Sequence, residues 1–262
     1  IDNSIRKNAK SDFISFWDER AKFLKWFKPW EKTVDWNPPF AKWFVGGQIN
    51  ASYNTLDVNQ QEKSSKTAIF WEGEDGSSRI ITYGDLFLQV KKFANVLKSL
   101  GIKSGDRITI YLPMVPELVI AMLSCARIGA IHTVVFSGFS ATSLRDRVED
   151  SGSKIIITAD GGFRKGKLIK LKEIVDESAA GVSSVEHVVV LRRANNEISL
   201  NHKDCLWSDL MNKSSEECDA EKLDSAHPLY ILYTSGTTGK PKGVLHGTGG
   251  YLTHLYSTFK RA

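Results

Sequence analysis

From Lys66 onward, short apolar runs alternate with stretches whose apolar residues recur every three or four positions. No other feature restricts the fold as much, because strands alternating with helices argue for a mostly parallel sheet with helices on both faces. Thr67–Trp71 and Arg79–Tyr83 flank Gly76 and read as a hairpin. Thr82 or its neighbour then caps a helix whose buried face carries Leu86, Val90, Phe93, Leu97 and Leu100, and Gly101 ends it. Asp106–Leu112 reads as a strand, and the next helix opens at Pro116 and closes at Gly129, as end preferences predict. Ile131–Phe136 is nearly continuous in apolar residues, the pattern of an interior strand. Ser140 caps a helix through Leu144 and Val148. Strand Lys154–Ala159, helix Leu168–Glu177 and strand Val185–Leu191 continue the series. Residues 192–227 are polar and predict a surface excursion, and Leu229–Thr234 is the last clear strand.

Residues 1–65 differ from the rest. Five of the seven tryptophans lie here (Trp17, Trp26, Trp30, Trp36, Trp43), with prolines at 29, 38 and 39. The segment predicts a short amphipathic helix around Phe13 to Phe27 and then an irregular aromatic wrap docked on the body formed by residues 66–262. A membrane-surface helix is the rival, weakened by Asp12, Asp18 and Glu19 among the lysines. The apolar window Leu118 to Phe136 holds Arg127, Gly129 and His132, so it reads as a helix and a strand rather than a membrane span. The start, Ile1 to Lys10, is too polar for a signal peptide.

With 42% apolar and 25% charged residues the chain is neither disordered nor fibrous. Cys125, Cys205 and Cys218 include no CxxC pair, which speaks against a disulfide framework or zinc knuckle and for reduced thiols in the cytoplasm. The net charge is 35 basic minus 30 acidic residues, or +5. That balance suits an anionic ligand, but its cations are interleaved with acids, and no nucleic-acid or membrane partner is expected.

The stretch from Thr234 to Gly243 carries the chemistry. Thr234, Ser235, Gly236, Thr237, Thr238, Gly239, Lys240, Pro241, Lys242 and Gly243 directly follow an apolar strand. Glycines let backbone N–H groups approach a polyphosphate, hydroxyls donate to its oxygens, and lysines neutralise it. Residues 228–262 contain four basic residues and no acidic one. A Walker A loop is excluded, because Gly239-Lys240 is followed by Pro241. Elsewhere, His132 reads as a core histidine, His246 and His254 lack the spacing of a metal helix, and Ser140 lacks the second glycine of a nucleophile elbow.

Tyr233 to Val244 resembles the phosphate-binding signature of the AMP-forming, adenylate-forming enzymes, a superfamily of acyl-CoA synthetases, luciferases and adenylation domains. Trp43-Phe44, Asn50 to Asp57, Ile69 to Gly73, Ile128 to His132, Leu245-His246 and Gly249 to Leu252 narrow the resemblance to the short-chain acyl-CoA synthetases, over residues 12 to 259. The fold it implies is α/β: part of the N-terminal domain of the adenylate-forming fold, mostly parallel sheets flanked by helices, behind a Trp-rich segment.

The reaction it implies has two steps. A carboxylate attacks the α-phosphate of ATP, carried with Mg2+, to give an acyl-adenylate and pyrophosphate; coenzyme A then displaces AMP. By position, Thr234 to Gly239 would cradle the β- and γ-phosphates, with Lys240 and Lys242 adding charge. Ala159 to Lys167 resembles the stretch that holds the nucleotide end of coenzyme A, which assigns Arg164, Lys165, Gly166 and Lys167, together with Gly138 in the neighbouring turn. Ser137 and Lys167 stand where the family more often has glycine and arginine. Acetate is the acid implied, with propionate and 3-hydroxypropionate as alternatives. The acyl pocket, the adenine and ribose groups and a C-terminal catalytic lysine would lie beyond Ala262, so the chain is expected to be a catalytically incomplete fragment prone to self-association. A non-catalytic nucleotide- or anion-binding module is the other reading.

Overall fold

The computed structural model describes residues 3–234 and 241–260. The chain opens with helices α1 (Asn3–Ser11) and α2 (Phe13–Ala21), an antiparallel hairpin of β1 (Lys32–Asn37) and β2 (Phe40–Val45), the short strand β3 (Gln48–Ile49), and helices α3 (Ala51–Thr55) and α4 (Gln60–Lys63). A second hairpin pairs β4 (Thr67–Glu72) with β5 (Ser78–Thr82). Then come α5 (Tyr83–Ser99), β6 (Arg107–Tyr111), α6 (Pro116–Arg127), β7 (Ile131–Val134), α7 (Ala141–Ser151), β8 (Ile155–Ala159), β9 (Gly162–Arg164), β10 (Lys167–Ile169) and α8 (Leu171–Ala179). The remainder is β11 (His187–Leu191), β12 (Asp204–Leu206), α9 (Trp207–Asn212), β13 (Leu223–Asp224), β14 (Pro228–Thr234), β15 (Lys242–Gly247) and α10 (Thr248–Phe259).

Among the described residues the main sheet has seven strands in the order β12-β11-β8-β6-β7-β14-β15. Every ladder is parallel except β14 with β15. The chain leaves β6 toward β7 and then crosses to β8 on the other side, so the winding reverses between β6 and β8. Right-handed crossovers then place α6 and α7 on opposite faces. In agreement, α6 packs with α5 and α7 with α8.

Local chemistry explains the elements. Thr82 and Asp85 form a reciprocal capping box at the start of α5, each side chain accepting from the other's backbone N–H (3.1 and 3.3 Å). Ser140 accepts from the N–H of Ser143 and starts α7. The interior strands are buried on both faces: Ile155, Ile156, Ile157, Thr158 and Ala159 are all sealed from solvent.

Four expectations need correction. Leu168 belongs to β10, which pairs back onto β9, so the following helix starts at Leu171. Residues 192–227 include an edge strand, β12, and Trp207 stacks on Phe93 with ring centroids 3.8 Å apart. Leu229–Thr234 is followed by a further strand, β15. The N-terminal helix ends at Ala21, and the aromatic wrap contains the β1–β2 hairpin.

The sheet is also covered unequally. Around β11, β8 and β6 both faces are packed, whereas Leu232 is 50% exposed and Leu245 57% exposed on the β14–β15 pair. An apolar groove of about 440 Å³ opens there between α6, β14 and α10, lined by Met122, Leu229, Leu232, Tyr251 and Leu255.

The first segment is fastened to the body through polar groups. The Asn50 amide donates to the carbonyls of Ala126 (2.9 Å), Arg127 (3.1 Å) and Glu221 (3.0 Å). Arg127, 2% exposed, forms a two-pronged pair with Asp57 (2.8 and 3.0 Å) and donates to the Cys218 carbonyl. β3 pairs with β13, and Trp17 lies beside His254 with ring centroids 6.0 Å apart.

Candidate functional site

Because β6, β7, β8, β11 and β14 run parallel, their C-terminal ends share one edge, and a ligand crevice is expected where the winding reverses. A cavity of about 280 Å³ lies there, between Pro113 and Met114 after β6 and Gly162 and Phe163 after β8. Trp71, Glu74, Phe136, Arg164 and Arg193 also line it. It therefore combines aromatic faces with two guanidinium groups, a lining suited to a ligand with a ring and phosphates.

The structure brings Gly138 and Arg164 together across 26 positions. A Cβ at 138 would run into the Arg164 guanidinium and the Phe136 ring, so any larger residue would push both side chains from their present places. The turn carrying Gly138 is pinned by the Tyr111 hydroxyl, which donates to the carbonyls of Phe139 (2.7 Å) and Ser137 (3.2 Å). Burial pushes that phenol up to about 12, so it stays a donor at physiological pH. The Arg164 guanidinium lies 4.9 Å above the Phe136 ring and has no carboxylate partner among the described residues.

Arg164 and Lys167 are register partners in the β9–β10 hairpin, and Lys165 and Gly166 form its turn, with φ of 51° and 72°. Such a turn points successive N–H groups outward and exposes the side chains of Lys165 and Lys167. Four cation-bearing or turn positions assigned from the sequence thus share one hairpin, and Gly138 faces it.

Arg193 was missed by the sequence reading. Its guanidinium lies 5.0 Å from the Trp71 ring and 5.5 Å from the Phe163 ring, and it forms a two-pronged pair with Asp75 (both 2.9 Å). That contact, followed by the Ser77 hydroxyl, holds the Asp75 carboxyl well below the usual carboxylate range. Buried Asp160, at the end of β8, accepts the N–H groups of Gly161 (2.7 Å), Arg193 (2.8 Å) and Ala194 (2.9 Å), which brings Arg193 to the cavity. The doublet Arg192-Arg193, placed directly after an apolar strand, was the available signal.

The second assigned stretch joins β14 to β15. Thr234 and Lys242 are register partners, so its two ends are held side by side. Ser235, Gly236, Thr237, Thr238, Gly239 and Lys240 lie outside the described residues. At the root, the Tyr233 hydroxyl donates to Asp150 (2.6 Å), and burial together with this contact pushes the phenol up. His132 is buried, as expected of a core residue, but its Nδ1 has no partner among the described residues. Burial pushes its pKa down to about 4. Among the described residues no three His, Cys, Asp or Glu side chains are grouped to hold a metal ion, and no helix is long and apolar enough to cross a membrane.

Two family models match: "AMP-binding enzyme" over residues 56–262 and "Acetyl-coenzyme A synthetase N-terminus" over residues 3–55. The acetyl-coenzyme A synthetase of Rubrobacter xylanophilus is 53% identical over 260 residues, covering 98% of this chain and 40% of that protein. Its namesake in Chlorobaculum tepidum is 51% identical over 255 residues, covering 97% and 39%. Among solved structures, an acetoacetyl-CoA synthetase from Streptomyces lividans superposes with a TM-score of 0.87 at 27% identity, covering 94% of this chain and 38% of that one. The chain thus spans about 40% of the length of the curated relatives it matches.

Proposed function

We infer the function from one premise: the chain belongs to the AMP-binding enzyme family, whose model matches residues 56–262. On that premise the protein is the N-terminal portion of an AMP-forming synthetase acting in the cytoplasm on acetate or a similar short acid. ATP, carried with Mg2+, is used to make the acyl-adenylate, and coenzyme A then accepts the acyl group. No covalent enzyme intermediate is required. The protein's part is to hold the reactants in line and to neutralise charge as it develops at phosphorus.

The observation that carries this reading is the meeting of Gly138 and Arg164 at the reversal point of the sheet, in a cavity walled by aromatic rings. There Gly138, Arg164, Lys165, Gly166 and Lys167 hold the nucleotide end of coenzyme A. Thr234, Ser235, Gly236, Thr237, Thr238 and Gly239 cradle the β- and γ-phosphates of ATP, with Lys240 and Lys242 as counter-charges. Residues 1–65 form a docking segment and residues 66–262 the nucleotide-binding body. The exposed apolar residues of β14 and β15 support self-association through that side of the sheet.

Calorimetric binding of Mg-ATP and of coenzyme A, together with acid-dependent ATP–pyrophosphate exchange, tests this. The expected result is binding of both nucleotides without exchange. Exchange with acetate, propionate or 3-hydroxypropionate would assign the first step to these 262 residues and name the acid. Binding of neither nucleotide would overturn the reading.

A further inference from the structure

The β4–β5 hairpin turns through Gly73, Glu74, Asp75 and Gly76, and this acidic turn reaches the basic end of the cavity. Glu74 accepts the N–H of Lys165 through Oε1 at 2.6 Å. Asp75 takes both terminal nitrogens of Arg193 at 2.9 Å. A guanidinium fork and an outward N–H in a turn of positive φ are phosphate donors by their chemistry. Both are satisfied here by carboxylates of the same chain, while the side chains of Arg164, Lys165 and Lys167 form no ion pair with a carboxylate among the described residues.

The turn also has hydrogen bonds of its own that set its shape. The N–H of Gly73 donates to the Ser77 carbonyl at 2.7 Å, and that of Gly76 to the Gly73 carbonyl at 2.9 Å. The Ser77 hydroxyl donates to Asp75 at 2.6 Å. A Cβ on Gly73 would lie 2.6 Å from the Asp75 Oδ1 and 2.7 Å from the Arg193 Nη2, so the backbone passes directly against the ion pair. Arg193 is equally fixed from behind, by Asp160 at its own N–H.

We propose that the acidic turn is a resident anion that occupies a second phosphate subsite, made of the Arg193 fork and the Lys165 N–H, and that an incoming phosphate must compete with it. This rests on the coenzyme A reading of the cavity and adds an affinity-setting element to it. Arg164 and the two lysines receive the ligand, whereas the Arg193 subsite opens only when the turn yields. The turn thereby keeps a highly charged ligand from being held too tightly to leave.

The test is calorimetry on the full 262-residue chain at low and high salt, with coenzyme A and with inorganic pyrophosphate as probes. Glu74→Gln keeps the oxygen that accepts from Lys165 and removes only the charge. Asp75→Asn removes the charge opposite the Arg193 fork and one of its two acceptors. Each variant is expected to bind coenzyme A about fivefold more tightly at low salt, with the gain lost near 0.5 M salt. Adding Arg193→Met to Asp75→Asn is expected to return the affinity to that of the unaltered chain. Unchanged or weaker binding in both single variants, with or without a fall in Tm, overturns the competition and leaves the coenzyme A reading standing. If no variant binds coenzyme A, yet pyrophosphate binding tightens in Asp75→Asn and reverts with Arg193→Met, the coenzyme A reading fails and the competition stands. If neither probe responds, both fail.

Discussion

The two halves of the main sheet are built from similar residues and live in different surroundings. β11, β8 and β6 are packed between helices on both faces, and each residue of β8 is sealed from solvent. β14 and β15 also carry apolar side chains, yet Leu232, Val244 and Leu245 are about half-exposed, and Leu232 lines an open groove. The difference teaches that apolar pattern sets which residues form a strand, while burial depends on which elements are there to cover it. Stability should therefore reside in the first half and association at the margin of the second, while the coenzyme A cavity sits in the loops at the edge of the first.

The sharpest way to break that division is truncation in the packed half. Ile157→Ala should cost about 3–4 kcal/mol in urea unfolding, because a fully enclosed side chain leaves a cavity that neighbours cannot fill. A cost below about 1 kcal/mol would erase the distinction. The next largest effect tests a sealed ionisable group on β7, at the groove beside the open half. His132 has its pKa depressed from 6.5 to about 4 by burial, so the unfolded chain takes up the proton first. Stability is complete above pH 6.5 and is lost as pH falls toward 4, by at most about 3 kcal/mol. His132→Phe should flatten this slope between pH 7.5 and 4.5, and an unchanged slope would reassign it to other groups.

Binding sharpens the contrast in a different quantity. Arg164→Met keeps a stem to lie on Phe136 and removes the unpaired guanidinium, so coenzyme A affinity should fall about tenfold with Tm nearly unchanged. A fall in Tm without a change in affinity would make Arg164 a structural residue. The smallest effect is expected from Leu245→Ser, within about 0.5 kcal/mol in unfolding, since more than half of the side chain is already in water. Its readout is sedimentation, where the variant should shift any self-associated fraction toward the monomer.

Much of the packed half was legible. Thr82 and Ser140 sit at the helix starts that their chemistry dictates, and the apolar runs at Ile108 and Ile155 became interior strands. β12 was not legible, because a three-residue edge strand among polar residues exists only through its pairing with β11. β10 was hidden because Leu168, Leu171 and Val175 keep helical spacing, while the positive φ of Lys165 bends the chain back on itself. At the site, Gly138 and Arg164 came from resemblance, since no spacing rule links residues 26 apart. Arg193 lay outside it because its place depends on Asp160, whose carboxylate gathers N–H groups from two separate segments. Long-range hydrogen bonding of this kind leaves no local trace.

The amide of Asn50 also sets an order of events in time. Its three acceptors lie 76, 77 and 171 residues further along the chain. Contacts of such separation must close long loops before they return any stabilisation, and they slow folding accordingly. During synthesis the ribosome must deliver Glu221 before Asn50 can complete its bonds, so the aromatic segment waits 171 residues for its last anchor. Until then the ring contacts of Trp26, Trp30 and Trp43 with Phe44 have no finished body to rest on.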